Sequence, residues 1–228
     1  MVVLYTRQQG KVRAIAKGAR KLTSRKAGHL EPFTRVSLQL AKGRDLLIVT
    51  QAETIDAHTP IREDLARTGY AAYVIELLDR FVPDDEIAVP SLFRLLSETL
   101  SRLSSGVEPW LAVLYYEMRL LDFLGFRPQL FECANCSREI LAEDQFFSYA
   151  AGGAICPRCG EGLKGPLPIS LEALKYLRHF QRSSYAQASR AHPDPATQKE
   201  LEVLMQGYFT HLLERELNTP GFMKDVRK

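Results

Sequence analysis

The stretch FTRVSLQLAKGRDLLIVTQAE, Phe33 to Glu53, decides the fold of the N-terminal region. Val36, Leu38 and Leu40 alternate with Arg35, Ser37 and Gln39, the period of two that a half-buried strand requires. Lys42-Gly43-Arg44-Asp45 then reads as a hairpin turn into the apolar run LLIVTQAE. Upstream, KVRAIAKG alternates as well, with Val12, Ala14 and Ala16 on one face and Lys11, Arg13, Ile15 and Lys17 on the other. That parity predicts three cations on a single face of a sheet, and VVLYT, ahead of it, is a further short strand.

From Ile61 onward the period becomes helical. LARTGYAAYVIELLDRF places Leu65, Tyr73, Leu77 and Leu78 at three-to-four-residue intervals, and SLFRLLSETLSRL and EPWLAVLYYEMRLLDFLGF follow. In the last, Pro109 suits a first turn, Gly125 a C-terminal stop, and Pro128 lies just beyond. Two more helices are predicted near Leu171 to Arg182 and Thr197 to Leu217, with AHPDP breaking the space between them. The fold class is therefore α+β: a small β domain over residues 1–58, then an α-helical domain over 59–228.

Charge divides the chain at nearly the same place. The first 44 residues hold eleven Lys or Arg against one acid, Glu31, so they carry +10 in a chain whose net charge is +3, which leaves −7 for the remainder. Seven of these cations fall between Lys11 and Gly28 with no acid among them: Lys11, Arg13, Lys17, Arg20, Lys21, Arg25 and Lys26. A charged edge strand resists sheet-to-sheet pairing, but one or two lysines suffice for that. The excess points to a polyanion, with phosphates rather than bases as the main target. A small basic β domain that binds strands without reading sequence is expected to be an OB-like barrel. With 46% hydrophobic and 25% charged residues the chain has the composition of a globular protein. No apolar run approaches a membrane span and MVVLYTRQQ is too short for a secretory signal, so the expected location is cytoplasmic.

All four cysteines form two pairs, Cys133-Ala-Asn-Cys136 and Cys156-Pro-Arg-Cys159, separated by nineteen residues. Each C-x2-C turn aims two sulfurs at one point, and two such turns complete a tetrahedron; the spacing predicts one structural zinc ion within an insert at 131–162. Gly152-Gly153 lets FFSYAAGGAI fold back as a hairpin between them. Disulfides are disfavoured in a reducing compartment, and a thioredoxin-like redox pair would need a βαβ context that this sequence lacks. A shell of four thiolates leaves no open position for substrate, so the metal is read as a staple. The five histidines are scattered, Asp84-Asp85-Glu86 follows Pro83 between two helices, and there is no nucleophile elbow, P-loop or dinucleotide fingerprint. Nothing here supports an enzyme.

YTRQQGKVRAIAKGARK, SRKAGHLEPFTRVSLQLAKGRDLLIVTQAE, LLDFLGFRPQLFECANC and CPRCG resemble, in this order and over nearly the whole chain, the signature segments of the RecO family of bacterial recombination mediators. The resemblance implies an N-terminal OB-fold and a helical domain carrying a four-cysteine zinc site, here Cys133, Cys136, Cys156 and Cys159. It also implies a non-catalytic, nucleoid-associated role: binding single- and double-stranded DNA, annealing strands, and acting with RecR to load RecA onto strands coated by single-strand-binding protein, whose C-terminal tail is a partner. The family's first barrel strand would lie upstream of VVLYT, so the barrel is expected to be incomplete, with unpaired edges. The alternative reading is a zinc-stapled RNA-binding or transcription-associated adaptor using the same basic patch; Tyr5 and Phe33 alone do not discriminate.

Overall fold

The computed structural model describes residues 1–19, 21, 24, 26–84, 88–106, 108–162 and 165–226, without the side chains of 223–226. Arg20 and Arg25, two of the candidate phosphate contacts, lie outside the described residues, as do Asp85 and Glu86. The chain divides into two compact units, Met1–Pro109 with Gly221–Lys228, and Trp110–Pro220.

Four strands open the first unit: β1 (Val2–Thr6), β2 (Gly10–Ile15), β3 (Arg35–Lys42) and β4 (Leu47–Asp56). They form one sheet in the order β1-β2-β4-β3, antiparallel except for the parallel β2–β4 pair, which sets Ala14 beside Leu47 and Ile15 beside Ile48. Among the described residues β1 and β3 do not pair, so the sheet is open rather than a closed barrel. The alternation in β3 holds: Val36, Leu38 and Leu40 are half-buried while Arg35, Ser37 and Gln39 are exposed. Gly43 makes the β3–β4 turn possible, because a Cβ there would run into the carbonyl oxygen of Leu46.

Three helices follow in this unit: α1 (Thr59–Glu63), α2 (Leu65–Phe81) and α3 (Pro90–Ser104). Asp64 caps α2 by accepting from the amides of Ala66 and Arg67 at 2.9 and 3.1 Å. The buried face of α2 is Tyr70, Tyr73, Val74, Leu77 and Leu78, whereas Leu65 is 59% exposed; the apolar stripe starts later than the helical intervals place it. At the junction of β4 and α1, His58 is 2% exposed and holds a left-handed φ of 43°. Its Nδ1 lies 3.4 Å from Asp56 Oδ1 without the alignment of a hydrogen bond, and Nε2 has no partner among the described residues.

In the second unit α4 (Pro109–Leu124) starts at its proline and stops at Gly125, which takes φ 79°. The insert then builds β5 (Gln145–Ser148), β6 (Gly153–Ile155), the short α5 (Pro157–Gly160) and β7 (Leu167–Ile169), with sheet order β6-β5-β7. Helices α6 (Leu171–Arg182), α7 (Tyr185–Ala188) and α8 (Pro195–Leu213) follow, and α9 (Thr219–Val226) leads from this unit into the segment that belongs to the first. AHPDP does not merely break the chain: Asp194 caps α8, accepting from Ala196 and Thr197, and Pro195 is its first residue. The helix ends at Leu213 rather than Leu217, where Glu214 turns left-handed at φ 52°. Among the described residues no helix is long and apolar enough to cross a membrane.

Candidate metal centre and nucleic-acid interface

The four cysteine sulfurs lie within 4.8 Å of one another, and none is disulfide-bonded. Each knuckle is shaped by its own backbone. Cys133 accepts from the amide of Ser137 at 2.8 Å while its own amide donates to Arg138 O at 2.7 Å, a reversal that requires Ser137 at φ 58°. The second pair opens α5, where Cys156 O accepts from the amides of Cys159 and Gly160, both at 2.9 Å. The β5–β6 hairpin carries one pair back to the other: Ala134 donates to Ala154 O at 2.9 Å and Cys156 N to Cys133 Sγ at 3.3 Å.

A tetrahedral ion with metal–sulfur bonds of about 2.3 Å requires sulfurs about 3.8 Å apart. Cys136 and Cys156 already stand at 3.8 Å. The donor set therefore fits such an ion with little movement. The backbone amide and side chain of Arg138 pull the Cys136 thiol down to about 6, while burial foremost pushes Cys156 up to about 11. Cys133 is 1% exposed and the other three are half-buried, so the cluster sits at the rim of the unit.

The basic stretch divides into cations that are engaged and cations that are not. Lys11 is 8% exposed; its ammonium meets Asp79 Oδ1 at 2.8 Å and Asp84 Oδ1 at 3.2 Å, and donates to the carbonyls of Asp79 and Val82 at 2.9 and 3.2 Å. Those carbonyls end α2, so the strand supplies a cation to the negative pole of a helix. Burial works against the charge, but the bonds to the two carboxylates outweigh it and hold the ammonium above its ordinary pKa. Arg13 Nε reaches the other oxygen of Asp84 at 2.7 Å. Lys11 and Arg13 thus share a face, as their parity predicts, but they turn it toward the protein's own acids.

Lys17 is not on that face, because β2 ends at Ile15 and Lys17 falls in the following turn. Among the described residues that follow, the amides of Ala19, Lys21, Ser24, Ala27, His29 and Leu30 each donate to the carbonyl three residues back. Lys26 is half-buried and donates to Val49 O at 3.0 Å, while His29 Nδ1 accepts from the amide of Thr54 at 3.2 Å; together they fasten this segment to β4. Lys17 and Lys21 are exposed and form no ion pair with a described residue, and the same holds for Arg35, Lys42 and Arg44. Asp79 and Asp84, which decide the fate of Lys11 and Arg13, carry no local signal: they lie about seventy residues away along the chain.

The chain matches two family models that together span nearly its whole length, "Recombination protein O N terminal" over residues 1–58 and "Recombination protein O C terminal" over residues 62–220. It is similar to a protein of Roseiflexus sp. named DNA repair protein RecO, at 43% identity over 219 residues, 96% of this chain and 77% of that protein. Proteins of the same name from Dehalococcoides mccartyi and Geobacter sulfurreducens are 36% and 34% identical over 98% and 99% of the chain, covering 88% and 90% of their own lengths.

Proposed function

The chain belongs to the recombination protein O (RecO) family, and on that premise we propose that it is a DNA repair and recombination mediator. In this reading it binds single- and double-stranded DNA, anneals complementary strands and, with RecR, helps to load RecA on DNA coated by single-strand-binding protein, whose C-terminal tail it contacts. It works in the cytoplasm, at the nucleoid, and needs no catalytic centre. The match of both family models, in order, is the observation that carries the reading.

Phosphate binding is assigned to Lys17 and Lys21, two of the exposed cations that form no ion pair with a described residue, together with Arg20 and Arg25 of the same stretch of sequence. Lys11 and Arg13 brace the sheet against α2, and Lys26 fastens the segment to β4. Two DNA strands repel through their phosphates, and a surface that replaces condensed counterions lets them approach and pair. One zinc ion per chain is held by Cys133, Cys136, Cys156 and Cys159, whose soft thiolates at tetrahedral spacing suit it. When bound it supplies cohesion to the insert and no chemistry.

The test is annealing of complementary DNA strands, followed by fluorescence quenching, with and without the protein. Acceleration that fades with added salt is expected. No acceleration at any salt concentration, from protein that retains its fold, sinks the reading.

A further inference from the structure

The first cysteine knuckle is a reversal of the chain between Leu130 and Ile140, closed inside by Ile140 N to Phe131 O at 2.9 Å and Cys133 N to Arg138 O at 2.7 Å. Neither bond fastens it to a helix. One side chain does so at both of its open ends: Arg178, on α6, donates from Nε to Leu130 O at 2.8 Å and from Nη2 to Ile140 O at 3.0 Å. Leu130 and Ile140 are 0% and 3% exposed, so these carbonyls are shielded from the water that would otherwise satisfy them. The guanidinium also lies 5.0 Å over the ring of Phe131, whose face takes Arg182 at 3.5 Å as well. Two parallel donors on a planar fork fix both distance and orientation, which a single point charge does not.

From this geometry we infer that Arg178 is a positioning residue for the metal centre: it spans the two ends of the knuckle and sets the spacing of Cys133 and Cys136 relative to Cys156 and Cys159. The inference rests on the reading that these four cysteines hold a metal. Groups that hold a ligand loop in place raise affinity without touching the ion, because less ordering of the loop is left to accompany binding. Metal occupancy and the seating of the knuckle on α6 are then one equilibrium. Losing the ion loosens Arg178, and losing Arg178 loosens the ion.

The experiment follows zinc transfer from the intact protein to a chromophoric chelator for wild type, Arg178→Ala and Arg178→Lys, alongside thermal melting of each in the native and Cys133→Ser backgrounds. Arg178→Ala is expected to release zinc about tenfold faster or more. Arg178→Lys, which keeps the charge but cannot span both carbonyls, should fall between. The melting temperature should drop much more when Arg178 is replaced in the metal-loaded protein than in the Cys133→Ser background, because the interaction is non-additive with the ion. Unchanged release from both variants overturns the inference, as does an equal loss of melting temperature in the two backgrounds, which would make Arg178 an ordinary packing residue. Wild-type protein that carries no zinc overturns the metal reading itself, and is seen before any variant is made.

Discussion

Lys11 and Lys17 are the same residue type six positions apart, and the structure gives them opposite expectations. Replacing Lys11 with Met leaves Asp79 and Asp84 facing each other across a gap and two carbonyls at the end of α2 without their donor. Since both carboxylates are partly solvated, the cost should be about 1–3 kcal/mol rather than that of a fully buried pair, read as a lower urea midpoint. The salt dependence of DNA binding should not change. Replacing Lys17 and Lys21 with Ala should do the reverse: stability holds, while the logarithmic salt slope on single strands flattens by about 1.4, or 0.7 for each phosphate no longer neutralised. An unaltered slope in that double variant would place the DNA elsewhere. Lys199, exposed on α8, serves as the neutral control for such work. His58 carries a pH expectation. Burial holds its imidazole below the ordinary value, Asp56 opposing and Arg35 and Arg62 assisting, so the unfolded chain takes up a proton more readily than the folded one. Stability present above about pH 6.5 is therefore lost progressively as the pH falls below it. Urea midpoints at pH 7.5 and 5.5 should differ less in His58→Gln than in wild type.

Elements are legible where their signal is local. The β3–β4 hairpin, the bounds of α2 and α6, the stop of α4 at Gly125 and the β5–β6 hairpin all follow from periodicity and turn residues that lie within a dozen positions. The start of α8 is ambiguous in sequence because Asp and Pro serve both as turn formers and as the cap and first residue of a helix; only the amides of Ala196 and Thr197 distinguish the two roles. The grouping of four sulfurs is legible from spacing, but what supports it is not, since Arg178 meets Leu130 across 48 residues. Gly153 is another such support. It lies flush against the backbone of Gln129, forming a parallel bridge with it, and a Cβ there would collide with the nitrogen and oxygen of that residue. A backbone cannot swing aside as a side chain can, so Gly153→Ala should cost about 3 kcal/mol, measured by urea unfolding, and should weaken zinc retention in parallel.

For the molecule as a whole, metal removal is the decisive perturbation. Site energy of this kind is folding energy, so chelation should lower the melting temperature, and hydrogen exchange should quicken first in the insert and along α6. Protein in which exchange is the same with and without zinc would show the ion to be dispensable. The open sheet can be read from the sequence only as an unfinished barrel; its strand order β1-β2-β4-β3 depends on the parallel pairing of β2 with β4, for which no local pattern exists. The order of the two units along the chain governs how the protein is made. The unit that begins at Met1 is rejoined by Gly221–Lys228 after the whole of the other unit has intervened. A ribosome delivers residues in order, so the cysteine insert at 131–162 is synthesised before Gly221–Lys228 is added to the first unit. A nascent chain paused before Gly221 would already carry all four cysteines of the insert, and zinc supplied during translation would meet them before the first unit gains that segment.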